Sequence, residues 1–111
     1  MITLKKLNHE TYDDGILTYG SIGSKFNSSK KKIGEEFNPK GKLFFKQLSS
    51  RDSDILQASN MGYVIDLKLK VPYRPDISSK NKVKINNEIY DIKKFDSNKT
   101  EIFLYLQRVG V

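Results

Sequence analysis

Few side chains in this sequence could do covalent chemistry. The one histidine, His9, is followed by Glu10 and stands near Asp13 and Asp14, a grouping that could in principle pass protons. A Ser–His–Asp site would have to use His9, and Cys–His and multi-histidine metal designs are excluded by one histidine and no cysteine. In a polar leader ahead of the first β-prone run, these four residues read as solvated turn residues. Asp52 and Asp54 make a second carboxylate pair, but they fall where a helix should start, and the helix dipole favours acids there without catalysis. Neither G-x-G-x-x-G nor G-x-x-x-x-G-K-[ST] occurs, so the phosphate-cradling motifs are missing. Gly20-Ser21-Ile22-Gly23-Ser24 has glycines without that spacing. The sequence predicts no catalytic group, no cofactor and no metal site, in a protein that is not an enzyme.

Charge is the stronger signal. The formal net charge is +7 over 111 residues. Seven lysines (Lys25, Lys30, Lys31, Lys32, Lys40, Lys42 and Lys46) fall between residues 24 and 46, against Glu35 and Glu36. Such an excess suits an acidic partner or a nucleic acid, or simply keeps a loop soluble. Lys30, Lys31 and Lys32 are the candidate contact residues.

The elements that must position these groups are mostly strands. Asp13-Asp14-Gly15 is turn chemistry, and residues 15–22 read as a first strand closed by glycines. Residues 23–41 are rich in Gly, Ser, Asn and Lys, with Phe26, Ile33 and Phe37 isolated among them. They predict a long basic loop, flexible over 24–41. Lys42 to Leu48 reads as a second strand, with one of Phe44 and Phe45 facing the core. Ser50 can cap a helix of one or two turns ending near Asn60-Met61-Gly62. From Tyr63 to Tyr73, Ile65, Leu67, Leu69 and Val71 alternate with Asp66, Lys68 and Lys70, which predicts a strand with one buried and one wet face. Asn86-Asn87 joins Lys82–Ile85 to Glu88–Phe95 by a type I′ hairpin turn. Glu101 to Val109 is apolar on both faces, so it should be central in the sheet or covered by a partner.

One domain fits this length. The predicted fold is mostly β: a small antiparallel β-barrel of five to six strands with one short helix and a long basic loop. The absence of any long apolar run predicts no signal peptide and no membrane span, hence synthesis in a cytoplasm.

Three stretches together carry a family resemblance. Leu67-Lys68-Leu69-Lys70-Val71-Pro72-Tyr73-Arg74-Pro75-Asp76 leads to Val83-Lys84-Ile85-Asn86-Asn87-Glu88-Ile89-Tyr90-Asp91-Ile92, and then to Ile102-Phe103-Leu104-Tyr105-Leu106. Order, spacing and length resemble the head–tail joining (head-closure, or stopper) proteins of long-tailed bacteriophages, over roughly residues 15–111. Leu43 to Ala58 also matches, as an aromatic strand followed by a Ser- and acid-containing helical stretch. The chain departs from the common pattern at Phe44-Phe45, where a tryptophan is usual. The resemblance implies a structural virion protein made in the bacterial host's cytoplasm. It would form a ring under the portal and its adaptor, close the head after DNA packaging and dock the tail. It further implies a homo-oligomeric ring when assembled and a monomer when free, with portal or adaptor ring and tail-completion protein as partners and the basic loop near packaged DNA. An adaptor or tail-completion ring of the same connector is the alternative within that biology. A small nucleic-acid-binding barrel is the alternative outside it.

Overall fold

The computed structural model describes residues 12–109; His9 and Glu10 lie outside them. The elements are β1 (Gly15–Phe26), β2 (Lys32–Leu48), helix α1 (Asp52–Met61), β3 (Leu67–Pro72), β4 (Lys82–Ile85), β5 (Glu88–Ser97) and β6 (Glu101–Arg108). The strands close into a six-stranded barrel in the order β1-β2-β3-β6-β5-β4. Every adjacent pair is antiparallel. The architecture is the mostly β, one-helix fold that the alternating patterns predict. No helix among the described residues is long and apolar enough to cross a membrane.

Alternation decides what fills the barrel. Leu17 and Tyr19 of β1, Leu43 and Phe45 of β2, Leu69 and Val71 of β3, Val83 and Ile85 of β4, Tyr90 and Ile92 of β5, and Ile102, Leu104 and Leu106 of β6 are buried together. Successive strand residues point to opposite faces, so Phe44, next to Phe45, faces out and is exposed. The Asn86-Asn87 turn is as expected, with φ of 49° and 69°, the left-handed pair that a type I′ turn requires. In a closed barrel every strand lies between two others, so the place of β6 between β3 and β5 does not set it apart; its second apolar face is accounted for by cover on the outer wall, where Tyr105 is buried.

Four expectations change. The basic loop over 24–41 is a β-ribbon: β1 runs on to Phe26 and β2 begins at Lys32, paired in register from Gly20↔Pro39 to Lys25↔Gly34. The reason it escaped notice is that neither face of this ribbon is buried, so no period-2 contrast marks it. Second, Lys68 and Lys70 are not wet but buried, because α1 and β6 side chains cover the outer wall there. Lys68 Nζ lies 2.9 Å from Asp54 Oδ2 of α1, and Lys70 Nζ lies 3.3 Å from Glu101 Oε2. Third, α1 is ten residues long and its cap position is Arg51, not Ser50. The Asp54 carboxylate, three residues on, accepts the Arg51 backbone N–H at 3.0 Å, so the reciprocal half of a capping box replaces the serine cap. Gly62, with φ of 84°, ends the helix in the left-handed conformation. Fourth, the strand expected from Tyr63 is shorter, Leu67–Pro72.

Candidate functional site

The feature that the barrel leaves outside itself is the distal half of the β1–β2 hairpin. β1 pairs with β4 only over Thr18–Gly20, and β2 pairs with β3 only over Lys46–Leu48. Beyond Gly20 the hairpin is therefore a two-stranded arm. Six residues of β1, Ser21 to Phe26, carry it about 20 Å from the barrel at a strand's rise per residue. Residues 24–36 are all exposed.

The root of the arm is held by close packing that only glycine permits. At the step from Tyr19 to Gly20 the register slips by one residue, and Lys40 of β2 is the extra residue. This is a β-bulge, which bends and twists the ribbon. A Cβ on Gly20 would lie 2.0 Å from the Asn38 carbonyl oxygen, so the two backbones touch there. The Tyr19 hydroxyl donates to Asp76 Oδ1 at 2.9 Å, and Lys40 Nζ donates to the Asp76 carbonyl oxygen at 2.6 Å. Burial, and then the Asp76 carboxylate, push the Tyr19 hydroxyl above its ordinary pKa. The Tyr73-Arg74-Pro75-Asp76 corner thus presents the group that clamps the root of the arm.

The tip is a five-residue turn, 27–31. Asn27 organises it: its side-chain oxygen accepts the Ser29 N–H at 2.9 Å and the Lys31 N–H at 3.0 Å. Lys30 sits at φ 63°, and its N–H donates to the Asn27 carbonyl at 2.9 Å. Asparagine side chains mimic backbone turns in this way. Lys30, Lys31 and Lys32 are brought together at the tip, with Lys25 across the ribbon next to Phe26, the partner of Lys32. Among the described residues none of these four lysines makes an ion pair. Phe26 and Ile33 are exposed beside them.

Two grooves flank the root. One, about 580 Å³, lies between Ile22, Glu36 and Phe37 of the arm and Lys82, Ile89 and Asp91 of the barrel, with Lys82 hydrogen-bonded to Asp91. The other, about 410 Å³, is floored by Ile16, Thr18, Phe37 and Pro39 and edged by Lys42 and Lys84. Lys84 Nζ stands 5.9 Å from the centroid of the Phe37 ring, within cation–π range.

Of the carboxylates at the helix start, Asp54 caps α1 and binds Lys68. The Arg51 N–H and then the Lys68 ammonium hold the Asp54 carboxyl below the usual carboxylate range. Among the described residues no group of three metal-ligating side chains converges. Sequence reasoning placed the lysines but missed Gly20, Lys40 and Asp76 at the root. A glycine inside a β-prone run, a signal of a bulge or close backbone approach, was the clue available. No protein-family model matches the chain, and no curated protein sequence matches it.

Proposed function

We propose that this chain is a non-catalytic, structural subunit of a long-tailed phage neck. Several copies assemble as a ring below the portal and its adaptor, close the head after DNA packaging and give the tail its docking surface. The observation that carries the reading is the arm: a clamped, projecting ribbon with four lysines at its tip that make no ion pair among the described residues. A two-stranded ribbon standing free in water is marginal, so the arm fits a role completed by neighbours. The corner that binds its root, Tyr73-Arg74-Pro75-Asp76, ends the first of the three stretches that together carry the resemblance to head-closure proteins.

In such a ring the arms would converge on the channel. Their lysines repel one another unless DNA phosphates lie opposite, so the tip both obstructs the exit and grips the backbone of the last DNA turns. An adaptor or tail-completion ring would use the same parts with different neighbours. A second reading, a small barrel binding single-stranded nucleic acid, draws on Phe44, exposed between Lys42 and Lys46 on one strand face. It is the weaker one, because such surfaces stack successive bases on several exposed rings, whereas Phe44 is exposed here and the neighbouring Phe37 is half-buried beside Lys84.

The test shortens the arm. Replacing residues 24–35 by Asn-Gly closes the register pair Gly23↔Glu36 with a two-residue turn. Heads completed with this variant should lose their DNA. Serine at positions 30, 31 and 32 should leave closure intact at low salt and release DNA sooner as salt rises, since each lost phosphate contact reduces the electrostatic term. Normal retention by the shortened variant, together with tight oligonucleotide binding by the free monomer, would favour the second reading.

A further inference from the structure

Among the described residues the barrel carries two uncovered apolar surfaces, and the topology sets them on opposite walls. In the closed order β1-β2-β3-β6-β5-β4, β6 is three strands from β1 in either direction. On the β1 wall, Ile16 and Phe44 are cross-strand partners that face outward and are 51% and 59% exposed. They adjoin the groove edged by Lys42 and Lys84, whose lining includes no carboxylate.

The wall across the barrel is covered by α1. Asp54 of the helix meets Lys68 of β3, Gln57 accepts from Lys94 of β5 at 2.8 Å, and Tyr105 of β6 is buried between the two lysines, 5.2 Å and 5.0 Å from its ring centroid. These polar contacts and Ala58 seat the helix. Its larger apolar side chains face away: Ile55, Leu56 and Met61 are 54%, 63% and 69% exposed, with Val64 just beyond. The helix carries two carboxylates, Asp52 and Asp54, and no base.

We propose that the outer face of α1 of one copy docks on the Ile16–Phe44 wall and its basic groove on the next copy. Leu56 and Ile55 would rest on Phe44 and Ile16, with Asp52 toward Lys42 and Lys84. Each surface supplies what the other lacks: apolar area against apolar area, and the Asp52 carboxylate, which the Asp54–Lys68 pair leaves facing outward, against lysines of a groove that no carboxylate lines. A contact between different surfaces on opposite walls is heterologous, so it propagates head to tail and closes into a ring if the rotation allows. A self-complementary patch would stop at a dimer. The proposal rests on the ring reading above and names the surfaces that build it.

The chain has no cysteine, which makes a thiol cross-linking test clean. Phe44→Cys and Leu56→Cys place thiols on the two surfaces at exposed positions, and Ile16→Cys with Ile55→Cys repeat the test one side chain away. The full chain, concentrated to about 1 mM where weak contacts populate, is treated with a short bis-maleimide and run on a denaturing gel. Neither single variant alone should cross-link. Their mixture should give a dimer and stop there, because each member keeps one thiol. The double variant Phe44→Cys/Leu56→Cys should give a ladder. Adding Lys42→Glu and Lys84→Glu to the double variant should suppress the ladder. Dimers from Phe44→Cys alone or from Leu56→Cys alone would replace the heterologous contact by a two-fold one and overturn the proposal while leaving copies able to associate. Absence of cross-links in both the mixture and the double variant would overturn it too, and the ring reading would still stand or fall on the DNA-retention experiment.

Discussion

The barrel and the arm are built from the same two strands, and they obey different rules. In their proximal halves β1 and β2 bury Leu17, Tyr19, Leu43 and Phe45, so register is fixed by which residues must leave water: a one-residue slip would turn every core side chain outward. In their distal halves the same strands bury almost nothing. There the pairing is held by ladder hydrogen bonds, by the Asn27 turn at the tip and by the Asp76 clamp at the root. Burial makes the barrel cooperative; local chemistry and close backbone contact shape the arm. The difference predicts that the arm can be altered or removed independently of the domain that carries it.

The comparison breaks most sharply in the core. Leu69→Asp places a charge at a position with no exposure to solvent, and the desolvation cost rivals the ~5–15 kcal/mol total stability of a small domain. The expected outcome is loss of folding, seen as insolubility or as loss of the cooperative melt.

A smaller effect is expected on the outer wall under α1. Because Lys68 is buried against Asp54, Lys68→Asp sets two carboxylates together and should cost about 3–5 kcal/mol. The alternation pattern alone predicts tolerance at this position. Lys68→Met, which keeps the stem but leaves Asp54 without its partner, should fall between the two. Denaturant titration of the three proteins orders them.

At the root, Gly20→Val forces the Asn38 carbonyl away from a Cβ that would approach to 2.0 Å. The expected cost is about 1–3 kcal/mol. Amide exchange should speed up across the arm and its bulge more than at Leu104 or Leu106. Equal acceleration everywhere would show that arm and barrel open as one unit.

Acid should loosen α1 in a defined direction. The folded Asp54 carboxyl titrates below its ordinary value of 3.8, so its contribution is fully present above that value and is lost as pH falls through the lower folded one. The stability gap between the wild type and Asp54→Asn should therefore be constant at neutral pH and narrow below pH 3.8, measured by urea melts across the acid range.

The smallest effect should come from the largest change. Exchanging residues 24–35 for Asn-Gly removes exposed chain only, and the barrel's stability should move by no more than about 1 kcal/mol. A loss of several kcal/mol would mean that the arm is part of the cooperative core.

By itself the sequence determined the parts of this protein whose signal is a contrast between water and core. The alternation in β3, the Asn86-Asn87 turn, the helix end near Gly62 and the inward facing of one of Phe44 and Phe45 are all written as local patterns, because period and turn chemistry act over a few residues. The order in which the six strands close, the helix laid over Lys68 and Tyr105, and the arm over residues 24–36 were decided only in three dimensions. Lys68 reads as a wet residue until a helix from elsewhere in the chain supplies Asp54 and covers it. The arm reads as a loop because a ribbon solvated on both faces has no reason to alternate. Its partners at the root, Gly20 with Asn38 and Tyr19 with Asp76, lie 18 and 57 residues apart, beyond the reach of any local pattern.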